Sequence, residues 1–238
     1  MTLQDFCQQI TFTMLNPQQA LLFKLPTPFL FELANTQTDL LDSKQKLRLH
    51  FLNENIQHMS TLAIAFILNQ AVKLMDPNLM YLNIGIWNGF SLWAGLLNNP
   101  DKQGIGVDNF LFWGGDYGAC LLNQKKLGVQ NSQIIKSDFI DYLKYQHQQA
   151  IGVYFYDGPH DYDHQVLALE LAEPFWAENA VIIVDDINLP GPMQSIQDFF
   201  EPRPHLYQRI FEVKTASNNH PTFWNGISVW QKCSRSIL

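Results

Sequence analysis

Residues 81–91, YLNIGIWNGFS, pass from an apolar run through two glycines to a hydroxyl, and a second apolar run follows. A buried strand that enters a ligand-binding loop and then a helix has this form. Outward from this stretch the chain alternates. Short apolar runs stand at 80–86, 103–110, 132–139, 150–158 and 180–188, with helix-like segments at 90–99, 117–128, 139–148 and 161–178. Gly128, after Lys125 and Lys126, is placed as a helix C-terminal stop. Strands alternating with helices predict a parallel sheet covered on both faces. A helix near 193–201 then gives way to two further apolar runs, 205–215 and 223–232, around the polar turn ASNNHPT. These predict an antiparallel hairpin closing an α/β, Rossmann-like sandwich.

Upstream, a helix is expected from Ser60 to about Leu74, ended by Asp76-Pro77. Residues 1–58 have mixed helical and loop character broken by Pro17, Pro26 and Pro28, and form an N-terminal extension to a domain over 59–238. The 238 residues, 47% hydrophobic and 16% charged, suit one compact α/β core. A formal charge of −7 disfavours a broad nucleic-acid surface. Cys7, Cys120 and Cys233 lie far apart without a Cys-x-x-Cys pair, which speaks against a disulfide framework and fits a reducing, cytoplasmic setting. No signal peptide is visible, and the best apolar stretch, LAIAFILNQAVKLM, is too short and polar to span a bilayer, so no membrane partner is expected.

In an open parallel sheet, ligands bind beyond the carboxyl ends of the strands. Those ends carry Asn83, Gly85 and Gly89; Asp108; Asp138; Asp157 with His160; and Asp185 with Asp186. Gly85 and Gly89 let the backbone turn sharply and approach a ligand, and Asp108 follows at a spacing that suits a ribose diol. They equally suit a plain strand-to-helix turn with Asp108 as a cap. Asp138 and Phe139 can flank an adenine, though Asp138 also reads as an N-cap. His160 stands where a general base would be useful, whereas His164, one helical turn on, reads as a helix-surface residue. Asp157, Asp185 and Asp186 are hard oxygen donors suited to Mg²⁺, unless loop amides satisfy them.

Four of these segments, in order, resemble class I S-adenosylmethionine-dependent methyltransferases, and most closely the macrocin-type and catechol-type small-molecule O-methyltransferases. YLNIGIWNGFS looks like the family's first motif and GIGVDNF like its ribose-binding strand end. YFYDGPHDYDH resembles its Asp-Gly-x-His-x-Tyr segment, and AVIIVDDIN its paired acids. The resemblance covers residues from about Tyr81 to Lys232. It implies a seven-stranded, mostly parallel sheet with a C-terminal antiparallel hairpin. It also implies an enzyme that moves a methyl group from S-adenosylmethionine to a small-molecule hydroxyl. By position, Asn83, Gly85, Trp87, Gly89 and Ser91 would line the methionine moiety, Asp108 and Asn109 the ribose, and Asp138 and Phe139 the adenine. Asp157, Asp185 and Asp186 would hold Mg²⁺, and His160, beside Asp157, would take the proton.

Three departures stand out. Asn83 replaces the usual acid, Pro159 a common acid in the Asp-Gly-x-His segment, and Glu178-Asn179 the usual Gly-Gly turn. Two rival readings follow: a nicotinamide-dependent oxidoreductase, which the missing G-x-G-x-x-G disfavours, and a non-catalytic domain that binds cofactor or a partner. Residues 1–58, with NLPGPM (188–193), are the expected lid. The acceptor and any homo-oligomerisation are left open.

Overall fold

The computed structural model describes residues 1–14, 31–32 and 43–234. In chain order the elements begin with α1 (Leu3–Gln8), β1 (Thr13–Met14), β2 (Phe31–Glu32), α2 (Ser43–Asn55) and α3 (Leu62–Leu74). The alternating part follows: β3 (Met80–Ile84), α4 (Phe90–Leu96), β4 (Gln103–Asp108), α5 (Tyr117–Leu127), β5 (Ser132–Lys136), α6 (Phe139–Tyr145) and β6 (Ile151–Tyr156). The chain then forms α7 (Tyr162–Ala172), a short 3₁₀ turn (Glu173–Phe175), β7 (Trp176–Asp185), α8 (Pro190–Phe200), β8 (Tyr207–Val213) and β9 (Ile227–Lys232). Pro17, Pro26, Pro28 and much of the expected lid lie outside the described residues.

Seven strands form one sheet in the order β5-β4-β3-β6-β7-β9-β8. The first five run parallel, and β9 and β8 add antiparallel. The expected architecture is thus present. Successive residues on a strand face opposite ways. Tyr81, Val153, Phe155, Val181 and Ile183 accordingly join one apolar cluster with α3 and α4. Leu82, Ile84, Tyr154, Ile182 and Val184 join the other, with α6, α7 and α8. Both faces are covered, which is why these strands are continuous apolar runs rather than alternating ones.

α3 is buried along most of its length, and of its two buried polar residues, Asn69 and Gln70, the first has a clear job. Asn69 Nδ2 donates to the Ala94 and Leu97 carbonyls at 2.7 and 2.6 Å, satisfying acceptors that the end of α4 leaves open. Among the described residues no helix is long and apolar enough to cross a membrane. Leu3, Phe6, Leu49, Leu52 and Ile56 enter the same apolar cluster as α3, so α1 and α2 share the main core.

Several boundaries differ from the sequence reading by a few residues, two of them with a clear local cause. The segment expected to stay helical through 178 ends at Ala172, and Trp176 already begins β7. Pro174 is the reason: it cannot donate to the helix, and the chain leaves through a 3₁₀ turn. The last helix starts earlier than expected, at Pro190, where a proline fits the first turn. Gly128 ends α5 in the left-handed region as expected, at φ 66°, and Asn179 takes that conformation too, at φ 62°.

Candidate active site

The carboxyl ends of β3, β4, β6 and β7 meet at one edge of the sheet. Gly85 leaves β3 at φ 76°, and its N–H donates to the Val107 carbonyl at 2.9 Å. A Cβ at this position would lie 1.8 Å from the Asp157 carbonyl oxygen. Gly85 is therefore what brings the end of β6 against the loop. Gly89 caps α4 at φ 90°, and a Cβ there would collide with the Trp93 indole at 2.4 Å. Between them Trp87 is held at φ 44°, a conformation that bulky side chains rarely adopt.

Asp108 holds this loop. Its Oδ2 accepts the Ile86 and Trp87 N–H groups at 3.0 and 2.8 Å, and its Oδ1 accepts the Phe110 N–H at 2.6 Å. Asn109 closes its own turn by accepting the Leu111 N–H at 2.9 Å. Asn83 is fully buried, and its Nδ2 donates to the Ile84 and Gly85 carbonyls at 3.3 and 3.5 Å. A carboxylate has no proton to donate there, so the amide suits the loop as it stands. Ser91 is buried in the first turn of α4.

Asp138 is the N-cap of α6, its Oδ1 accepting the Ile140 N–H at 2.8 Å. Phe139 is buried against the Tyr156 ring at 5.9 Å, edge to face. His164 lies on the helix surface as expected, its Nδ1 2.8 Å from Asp161.

Asp157, His160 and Asp186 converge, with one ligating atom from each within 4.8 Å of the others. His160 Nε2 lies 2.7 Å from Asp186 Oδ2 and 3.5 Å from Asp157 Oδ1. Asp186 is the anchor, with 5% of its side chain exposed, while His160 and Asp157 keep 33% and 29% at the mouth. Asp186 sits at φ 61°, and Asn225 Nδ2 donates to its other oxygen, Oδ1. Asp185 does not join the group; it is buried, and its Oδ1 accepts the Asp186 N–H at 2.9 Å.

The electrostatics follow from this crowding. Burial pushes the Asp157 carboxyl up, and the Asp186 charge adds to the push; the His160 hydrogen bond opposes it, and the group ends at about 7. Burial alone would lower His160, but hydrogen bonds to Asp157 and Asp186, with their charges, outweigh it and raise the imidazole to about 10. The two carboxylates thus favour the imidazolium form of His160, in which both ring nitrogens donate. Burial, then the Asp186 and Asp157 charges, raise Asp185 well above the usual carboxylate range.

A measurable consequence concerns Asp185. A folded-state value above the unfolded one means that the folded chain binds the proton longer, so stability is lost as pH rises above about 4. Asn keeps the acceptor and has no charge to bury. Urea titrations in chelator should show Asp185→Asn gaining on the wild type steadily as pH rises from about 4 to about 7. A stability difference that does not change with pH would mean that Asp185 ionises normally.

Asn225 escaped the sequence reading. The only local signal was the Asn-Gly pair before β9, which marks a turn and says nothing about Asp186.

Residues 82–187 match the family described as "Methyltransferase domain". No curated protein matches the chain. Several solved structures share its fold. Cofactor-bound Rv0187 from MTB has a TM-score of 0.61 at 15% identity, over 92% of this chain and 98% of that one. The O-methyltransferase from Bacillus cereus in complex with SAH has 0.59 at 14%, over 82% and 93%. The O-methyltransferase TomG from Streptomyces achromogenes, involved in tomaymycin synthesis and in complex with SAM, has 0.53 at 13%, over 82% and 91%.

Proposed function

We propose, from the premise that residues 82–187 are a class I methyltransferase domain, that this chain transfers a methyl group from S-adenosylmethionine to a hydroxyl of a small molecule. The observation that carries the reading is the contact of Gly85 with Asp157. It sets the Asp157–His160–Asp186 cluster directly beside the glycine loop, where a methyl donor and an acceptor have to meet.

In this reading the loop from Gly85 to Ser91 receives the methionine end of the cofactor. Asp108 takes the ribose hydroxyls with lone pairs not used by the loop amides, helped by Asn109. Asp138 and Phe139 border the adenine. Asn83 offers an amide where a carboxylate would meet the α-ammonium, so that end of the cofactor is bound without an ion pair.

Asp157 and Asp186 fit a divalent cation, because two carboxylates and an imidazole already converge there. Such an ion, Mg²⁺ above all, would supply Lewis-acid activation of the acceptor hydroxyl when bound. Asp185 backs Asp186 from below through the Asp186 N–H. His160 Nε2, when unprotonated, would be the group beside Asp157 and Asp186 that takes the hydroxyl proton. S-adenosylmethionine would supply an electrophilic methyl, and the acceptor oxygen placed beside this cluster would form the C–O bond as the S–C bond breaks, the sulfur leaving with the electron pair as a thioether. Residues 188–193 are the proposed lid, since α1 and α2 of the N-terminal extension pack into the main core.

The test joins binding to turnover. S-adenosylhomocysteine should raise the melting temperature and NAD should not, since a ligand stabilises the state it binds. Methyl transfer to a panel of sugars and phenols should fall in chelator and recover with Mg²⁺. His160→Ala should slow turnover about 10²- to 10⁴-fold, the usual range for a general base. Stabilisation by NAD alone would favour the oxidoreductase. Binding of S-adenosylhomocysteine with no turnover under any of these conditions would favour a cofactor-binding domain, and full activity in chelator would remove the metal.

A further inference from the structure

We propose that the face built from α2, α5 and the loop after β4 is a peripheral docking surface for an anionic lipid bilayer. The starting observation is an exposed apolar loop. Leu111, Phe112 and Trp113 follow one another with 76%, 62% and 78% of their surfaces in solvent. A polar loop would cost nothing here, and three successive large apolar side chains in water call for a covering surface.

The loop leads into α5, which carries further exposed apolar residues. The Phe110 ring meets the Tyr117 ring at 5.3 Å, which joins the loop to the start of α5. α5 exposes Leu122 and then Lys125 and Lys126 in its last turns. Lys126 Nζ lies 6.0 Å from the centre of the Phe51 ring on α2, so the two helices adjoin. α2 exposes Leu47 and Phe51 on that side. Where α2 meets the end of α5, a cavity of about 330 Å³ is lined by Lys44, Arg48, Asn98 and Asn131, without an acidic residue.

Charge selects the occupant. Among the described residues, Lys44, Arg48, Lys125 and Lys126 form no ion pair, although the chain carries −7 overall. A second copy in a two-fold contact would set this face against itself, cation against cation. A nucleic acid would satisfy the cations and find rings in Phe112 and Trp113, but it would leave Leu47, Leu111 and Leu122 without an apolar cover. An anionic bilayer meets both demands. The aromatic and aliphatic side chains enter the headgroup boundary while lysine stems lie along it and their ammonium groups reach phosphate. The Lys44–Arg48 cavity then seats a lipid phosphate. The contact is peripheral, and its loop also meets the proposed cofactor loop, Trp87 Nε1 donating to the Trp113 carbonyl at 3.1 Å.

The experiment is vesicle co-sedimentation with the full chain, using phosphatidylcholine alone and phosphatidylcholine rich in phosphatidylglycerol. Binding to the anionic vesicles should be at least tenfold tighter, and should weaken in high salt because these cations are exposed. Lys125→Glu/Lys126→Glu should weaken it roughly 20-fold or more, from the usual contribution of each lysine near a charged surface. Trp113 should shift its fluorescence to the blue on binding and be quenched by brominated lipid, and Trp113→Phe should lose that signal while keeping its melting temperature. Equal binding to both vesicle types, or none to either, overturns the proposal. So does a concentration-dependent dimer in sedimentation velocity that Leu111→Ser/Phe112→Ser/Trp113→Ser abolishes, because the face would then belong to a second copy.

Discussion

Asp108→Ala should weaken S-adenosylmethionine binding by one to two orders of magnitude and destabilise the unliganded protein as well. The two effects have separate causes. A carboxylate that accepts ribose hydroxyls makes charge-assisted hydrogen bonds worth about 1.5–3 kcal/mol, and alanine removes them. The same carboxylate accepts the N–H groups of Ile86, Trp87 and Phe110. Without it those three donors turn to water or go unpaired, and the loop that carries Trp87 at φ 44° loses its brace. Isothermal titration should show the loss of affinity and thermal melting the loss of stability. Asp108→Asn should recover little of either, because its NH₂ would face donors on one side. Asp185→Ala is the contrast: its carboxylate is buried beneath Asp186 at the end of β7, so cofactor affinity should change far less. Equal affinities for the two alanine variants would remove the ribose assignment, and a melting temperature unchanged in Asp108→Ala would remove the brace.

Gly85→Ala should be the most destabilising single methyl group in the site. The added Cβ would lie 1.8 Å from the Asp157 carbonyl oxygen and 2.5 Å from its carbon, both backbone atoms that cannot rotate away. The left-handed φ of 76° adds the ordinary penalty of about 1–2 kcal/mol for a side chain in that region. The strands must separate at this point, and a loss of about 4 kcal/mol or more is expected, in the range reserved for buried strain. For a chain of this size that is a fall of about 10 °C in melting temperature. Gly128→Ala separates the two causes. It shares a left-handed φ, 66°, but has nothing within 4 Å of the new Cβ, so only the conformational penalty remains. Similar losses in the two variants would show that the contact between β3 and β6 carries no weight.

The sheet was legible in the sequence because each strand that is buried on both faces must be apolar at nearly every position. That is the form of residues 80–86, 150–158 and 180–188, and these runs became β3, β6 and β7. The strand that began earlier than expected did so at Trp176, where an aromatic inside a helical pattern gave no warning. Its ring packs among Tyr154, Phe199, Phe200 and Tyr207, so tertiary contacts set its conformation. Asp138 could be read as a cap from its neighbours alone, and it caps α6. Asp108 could be read as an acid at a strand end, but nothing nearby in the chain shows that it holds amides 21 and 22 residues away.

By itself, the sequence determined the alternation of strands and helices, the closing antiparallel pair and the edge of the sheet where polar groups gather. All three follow from patterns within a few residues: apolar period, glycine at tight turns and acids at strand ends. Tertiary structure alone decided which acids meet. Asp157 and Asp186 come together because β6 and β7 pair in parallel, with Tyr156 opposite Val184. Asn225 reaches Asp186 across 39 residues because β9 pairs with β7 and sets Ile227 opposite Asp185. Asp185 and Asp186, adjacent in the chain, part company because Asp186 turns to φ 61° while Asp185 ends the strand. Such convergence depends on register between distant segments, and register is a property of the packed sheet that no single stretch of chain contains.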